Sequence, residues 1–414
     1  MSTPGLPDTA VFIPKTQAVT ATKIRQNFLP INGRDFNPGN QIHFSLACGK
    51  RGAFLDPKAT FLKFKLRNND TTNSLVLDGS AHSVIHLLEV YYGSTQLEYI
   101  REYAPLVSVL MDSQASSDRE LKNGNILEGM DKTTSRTGDT ILTTNGVDSR
   151  IFCIPLVSGI IGSLAEKMLP VGAMTRDNLK VSLTLSDSLN LQISDAVWDV
   201  TDVELVCEYV MINDTIAQII ERENFNGYSI PFTSFSLQSN SIASGLGSAN
   251  ILLSGNFTSV KTIFSIFRLQ SNRDDKTKKF ITGRVNPIQA AGYWSYDIAG
   301  MKVPQQRVMG SVETFMELQK AFHNFSSVEG HGIHTLDIWN KTDGTGSFVI
   351  GVDLDHFGGK TAFASTGTNI STSSCYLQVN FNEATTAALL CDTWFHFDAV
   401  LMIRPDGTAA QTQT

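Results

Sequence analysis

Residues 202–212 read Asp202-Val-Glu-Leu-Val-Cys-Glu-Tyr-Val-Met-Ile212, and far down the chain Thr393-Trp-Phe-His-Phe-Asp-Ala-Val-Leu-Met-Ile403 repeats the same kind of long alternating segment. Each is preceded by a shorter alternating run, Leu179-Lys-Val-Ser-Leu-Thr-Leu185 in one case and Tyr376-Leu-Gln-Val-Asn-Phe381 in the other. Side chains on a strand alternate between faces, so such runs read as strands with one buried face. A pair of strands recurring at the end of two comparable blocks implies one β-rich unit written twice. At 414 residues and 42% hydrophobic composition, the chain has enough apolar material for two cores of ordinary size.

The remaining strands carry the same signature. Ile42, Phe44 and Leu46 alternate with His43 and Ser45, and Leu62, Phe64 and Leu66 alternate with Lys63 and Lys65. The run from Val84 to Tyr92 is apolar on both faces, as a covered central strand requires, and Gly93-Ser94 turns it into Thr95–Ile100. Pro105 with Leu106, Val109 and Leu110 predicts a helix, and residues 112–149 read as a long polar loop. Strand Ile151–Leu156 and a small-residue segment, Ser158-Gly-Ile-Ile-Gly-Ser163, lead back to the closing strands.

Asn213 or Asp214 can cap a helix over Asp214–Glu223, and Ile216, Ile219 and Ile220 form its apolar stripe, so it is expected to pack across the junction between halves. The second half opens with Tyr228–Leu237 and continues through Val260–Leu269. A polar loop over 270–310 follows, then a helix capped by Ser311 with Phe315, Leu318 and Phe322 on one face. Strands from Phe348, Tyr376 and Trp394 complete the block. These boundaries predict an N-terminal arm (1–40, with five prolines), a first sandwich (41–226), a second (227–405) and a polar tail (406–414).

The net charge of -7 argues against a surface built to hold nucleic acid, which needs clustered Lys and Arg to displace counterions from phosphates. The arm carries only Lys15, Lys23, Arg25 and Arg34, too dilute for strong genome binding, so it is expected to order against neighbouring molecules instead. No run of about 18 apolar residues occurs, and the N-terminus lacks the charged and apolar regions of a signal peptide, so synthesis in cytosol is expected. Cys48, Cys153, Cys207, Cys375 and Cys391 show no CxxC spacing and read as reduced, buried thiols.

Catalytic patterns are sparse. His331 and His334 with Asp337 lack the helical HExxH frame of a metal site. Asp353 and Asp355, two apart on a strand, share one face as a glycosidase acid and its partner would, but they read more simply as a solvated face opposite Val352 and Leu354. There is no GxSxG elbow or P-loop, and Ser244-Gly-Leu-Gly-Ser248 lacks the strand-to-helix context of a phosphate cradle. No catalytic residue, metal or cofactor is expected. Tyr293, Trp294 and Tyr296 form an aromatic group suited to a subunit interface.

Two antiparallel sandwiches, each with a long excursion and an inserted helix, joined by an amphipathic helix, resemble the double jelly-roll major capsid proteins of icosahedral double-stranded DNA viruses. The resemblance spans most of residues 41–405. It rests on Ser83-Val-Ile-His-Leu-Leu-Glu-Val-Tyr-Tyr-Gly-Ser-Thr-Gln-Leu97, on Cys153-Ile-Pro-Leu156, and on the closing strand that leads into the Asp214 helix. The final strand, Phe395–Ile403, is similar to that of the smaller members from Polinton-like and related viruses. The fold implied is all-β, two tandem jelly rolls with short inserted helices and a linking helix.

The function implied is a capsid protein of the virion shell, made in the host cytoplasm and self-assembling as a homotrimeric, pseudo-hexagonal capsomer. Its partners would be neighbouring capsomers, penton and minor capsid proteins, with no direct contact to nucleic acid, and the sequence leaves an inner membrane open. Loops 112–149 and 270–310 would make the trimer contacts. The alternative class is a carbohydrate-binding or carbohydrate-cleaving β-sandwich whose long loops hold a sugar.

Overall fold

In a computed structural model, residues 21–114, 124–129, 141–142, 148–187, 195–322, 332, 334–356 and 366–413 are described. The first half contains β1 (Ala21–Phe28), β2 (Gln41–Leu46), β3 (Ala53–Asn68), β4 (Leu75–Val76), β5 (Ile85–Tyr92), β6 (Thr95–Arg101), β7 (Ile141–Leu142), β8 (Asp148–Pro155), β9 (Leu179–Leu185) and β10 (Trp198–Ile212). The second contains β11 (Tyr228–Ile242), β12 (Ser248–Leu253), β13 (Val260–Leu269), β14 (Tyr293–Ile298), β15 (Met301–Met309), β16 (Ile350–Asp353), β17 (Cys375–Asn380), β18 (Leu389–Ile403) and β19 (Ala409–Gln413). Helices α1 (Tyr103–Gln114), α2 (Gly124–Glu128), α3 (Asp214–Glu223), α4 (Gly310–Ala321) and α5 (Leu336–Trp339) lie between them.

The duplication holds strand for strand in the main sheets. In the first half the two main sheets run β1-β10-β3-β8 and β2-β9-β5-β6; in the second they run β11-β18-β13-β16 and β12-β17-β14-β15. Replacing each first-half strand by its counterpart converts one order into the other, and the strand pairs within these sheets are antiparallel. This is the two-sheet sandwich of a jelly roll, present twice. The inserted helices also correspond: α1 follows β6 and α4 follows β15.

Alternation accounts for the strands. In β3, Leu62, Phe64 and Leu66 are buried while Lys63 and Lys65 are half-exposed on the other face. Each closing strand takes the position beside the longest inner strand, β10 on β3 and β18 on β13. Trp394 of β18 is fully buried and stacks on Phe264 of β13 with ring centroids 5.6 Å apart. Burial of each such side chain stabilises the fold by roughly 2–3 kcal/mol, and the ring pair adds about 1 kcal/mol.

The structure corrects several boundaries. The expected arm 1–40 contributes β1, which pairs with β10 from Ala21↔Ile212 to Phe28↔Leu205, as the counterpart of β11. The expected tail contributes β19, paired with β18. Seven of the eight residues of β1 are exposed, so this edge strand shows no apolar period and its sequence gave no strand signal. The second excursion, 270–310, is no single loop, since it contains β14 and β15.

Helix α3 forms where expected, with Asn213 as the cap: its side chain accepts a hydrogen bond from the Thr215 amide at 3.0 Å. Its apolar face is only partly covered: Ala217 is buried, Ile216 and Ile220 are half-buried, and Ile219 remains 51% exposed. Helix α4 is capped by Met309 rather than Ser311, whose hydroxyl donates to the Gln289 carbonyl instead. Leu318 and Phe322 are buried as the stripe required.

Candidate assembly surfaces

The seam between the two rolls is held by buried polar groups. Asp78, before β5, has a 1% exposed side chain. One of its carboxylate oxygens accepts from the amides of Phe280 and Ile281 at 2.7 and 2.6 Å, and the Thr282 hydroxyl donates to the other. Residues 280–282 thus reach back into the first roll. They belong to the segment that reads as an outer polar loop, and their burial corrects that expectation.

Three further contacts cross the seam. Glu98 of β6 accepts from the Ser158 hydroxyl, from the Gly159 amide at 2.9 Å and from Ser234 of β11 at 2.8 Å. Its complete burial pushes the carboxyl above the ordinary glutamate range, and these hydrogen bonds oppose the shift. Arg268 of β13, buried, donates through Nε to Asp392 at 2.8 Å and through Nη2 to Glu102 of the first roll at 3.3 Å. Arg284 lies 3.1 Å from Asp112 of α1 and donates to Ser108 at 2.9 Å. Charge-assisted bonds of this kind are about twice as strong as neutral ones and directional, so they fix orientation as well as contact.

The small-residue segment 158–163 has its reason here. A Cβ on Gly159 would sit 2.2 Å from the Thr233 carbonyl of the second roll, so only glycine permits this approach. At the other end of the seam, Tyr92 donates its hydroxyl to the Gly407 carbonyl at 2.8 Å and accepts from the amides of Arg176 and Asp177.

The aromatic candidates divide. Trp294 and Tyr296 are fully buried on β14, where Trp294 Nε1 donates to Thr314 of α4 at 2.8 Å and Tyr296 shares a 2.8 Å hydrogen bond with Ser265. Both are core residues, because the inner face of β14 takes alternate side chains. Tyr293 alone is half-buried, with the Arg307 guanidinium 4.6 Å from its ring centre. Exposed apolar side chains lie next door and escaped the sequence reading: Val312 and Met316 are 76% and 46% exposed, four apart on one face of α4, and Met309, the residue that caps the helix, is 59% exposed.

The catalytic candidates have structural positions. His334 is bonded to Ser347 at 2.9 Å and Ser113 at 3.3 Å, its ring edge-on to Phe315 and Trp339. Asp337 lies in the first turn of α5, and His331 is outside the described residues. Asp353 accepts from the Asp355 amide at 3.0 Å at the end of β16, a turn contact rather than a paired acid site. Residues 244–248 carry the chain from β11 in one sheet to β12 in the other, with Gly245 at φ +83°. Among the described residues no group of three or more His, Cys, Asp or Glu side chains is placed to hold a metal ion. All five cysteines are unpaired; burial pushes the Cys207 and Cys375 thiols up to about 12 and Cys391 still higher. No helix among the described residues is long and apolar enough to cross a membrane.

No protein-family profile and no curated protein sequence matches this chain. Solved structures do. PBCV-1 VP54, fitted into a reconstruction of the virophage Sputnik, matches with a TM-score of 0.68 over 97% of this chain and 99% of that chain, at 11% identity. The Faustovirus major capsid protein matches at 0.61, covering 95% of this chain and 92% of that one at 8% identity. The mavirus major capsid protein matches at 0.52, covering 99% and 94% at 13% identity. From its first described strand to its last, this chain has the double jelly-roll fold of these capsid proteins.

Proposed function

We propose that this chain is the major capsid protein of an icosahedral double-stranded DNA virus, and that three copies form a pseudo-hexagonal capsomer of the virion shell. The observation that supports this reading best is the repetition of one strand order in both halves, shared over the full length with viral capsid proteins. Two similar rolls per chain give six similar blocks around a threefold axis, which suits a sixfold lattice position with threefold symmetry alone. A rigid seam serves the same end, because six blocks keep a common shape only if each pair is fixed.

The copies meet, in this reading, through flanks that include Val312 and Met316 of α4 with the capping Met309, half-buried Tyr293 and the 112–149 region. Neighbouring capsomers, penton and minor capsid proteins complete the shell. The net charge of -7 leaves genome packaging to other components. The test is self-association of the purified protein and of Val312→Glu. Wild type is expected to form trimers or larger assemblies and the variant to dissociate at concentrations where wild type remains associated, with unchanged circular dichroism. A monomeric wild type that binds glycans would favour a carbohydrate-active sandwich instead.

A further inference from the structure

A groove lies at the end of the seam where β10 passes into α3. It encloses about 280 Å³ between the start of β3, helix α3 and the two ends of the second roll, with Phe54, Ile220, Phe225, Tyr228 and Pro405 among its walls. Its surface is more apolar than polar, with Glu221, Asn224 and Arg404 also among the lining residues. Phe225 is 71% exposed, Ile220 of the α3 stripe is half-buried in the groove wall, and its neighbour Ile219 is 51% exposed.

The course of the chain points to what covers it. Residue 21 pairs with Ile212, whose amide donates to the Gly52 carbonyl at 3.0 Å, and Gly52 is itself part of the groove. Ile212 directly precedes Asn213, the cap of α3. Ala21, the first described residue, therefore lies beside the mouth of the groove. Within the twenty residues before it the longest apolar run is Ala10-Val-Phe-Ile13, followed by Pro14. Phe12 stands nine residues before Ala21, a reach of up to about 30 Å when extended, against about 15 Å for the length of α3.

We propose that the N-terminal segment of this same chain docks in the groove, with Val11, Phe12 and Ile13 covering Ile220, Phe225 and Tyr228. Pro14 favours an extended conformation at Ile13 and reduces the entropy lost on docking. Attachment to β1 gives the segment an effective concentration in the millimolar range, which favours it over the same segment of another copy. Docking covers this end of the seam, because the groove has walls from both rolls and from the helix that joins them. The inference stands whether or not the chain builds a capsid.

The test uses the full-length protein. Hydrogen exchange of α3 and of residues 225–228 is compared between wild type and Phe12→Asp, with β13 and β18 as internal controls of folding. The variant is expected to exchange about tenfold faster in α3 and 225–228, with the two control strands unchanged. In parallel, photo-reactive benzoylphenylalanine is placed at position 12 in an equal mixture of isotopically light and heavy chains. Adducts to peptides containing Ile220, Phe225 or Tyr228 within one isotopic form are expected. Equal exchange in wild type and variant, absence of those adducts, or adducts joining light to heavy chains would each overturn the proposal.

Discussion

Replacing Asp78 by alanine removes the most heavily used contact across the seam. The carboxylate is buried, and the Phe280 and Ile281 amides at 2.7 and 2.6 Å, with the Thr282 hydroxyl, all donate to it. Alanine leaves these donors without that acceptor, at about 1–3 kcal/mol for each unsatisfied buried group. Relief of the desolvation of a buried carboxylate offsets part of this, so the net loss is expected to be about 3 kcal/mol. Asp78→Asn keeps one acceptor oxygen and should lose less, about 1 kcal/mol. The loss acts between rolls rather than within either, which gives a second signature. Urea unfolding followed by tryptophan fluorescence and by far-UV circular dichroism should give coincident transitions for wild type and separated ones for Asp78→Ala. A change below about 0.5 kcal/mol with coincident transitions would refute the seam as a coupling element.

Glu98 supplies a pH signature. Its folded carboxyl titrates above the ordinary range, so the stability it contributes is full below that range and is lost as pH rises through the raised value. Glu98→Gln should therefore gain on wild type as pH is raised from the ordinary carboxylate range, measured by urea midpoints at a series of pH values; a difference constant with pH would contradict the assignment. Trp294→Ala should destabilise the second roll by about 3–5 kcal/mol and speed exchange in β14 and β17 in the isolated protein, whereas an interface residue would affect assembly alone. Thiol labelling should be slow at Cys207, Cys375 and Cys391 until denaturant is added, and stability should be equal with and without reductant; a large loss of stability on reduction would show a missed disulfide.

The inward strands were legible in the sequence because one face of each is buried. Leu62, Phe64 and Leu66 mark β3 by their period alone, and the recurrence of Asp202–Ile212 as Thr393–Ile403 reveals the duplication that the sheet orders repeat. Helix α3 was legible from its cap and stripe. Strand β1 was not, because a solvated edge strand is held by backbone pairing with β10 and its side chains carry no core period. The seam was equally hidden, since Asp78 and Phe280 meet across about two hundred residues and nothing local at either marks the contact. Trp294 and Tyr296 were misplaced for a related reason: an aromatic residue beside polar neighbours reads the same in a covered strand and in a contact loop, and only the packing of α4 over β14 distinguishes them.

The most direct measurement is the mass and projected shape of the purified full-length protein, by light scattering coupled to size exclusion and by negative-stain imaging of the same fractions. The expected result is a species of three times the 45.3 kDa chain mass, with threefold symmetry and six density lobes in end view, or shells built from it. A species of one chain mass with two lobes, persisting across protein concentrations and salt conditions, would contradict the capsid reading.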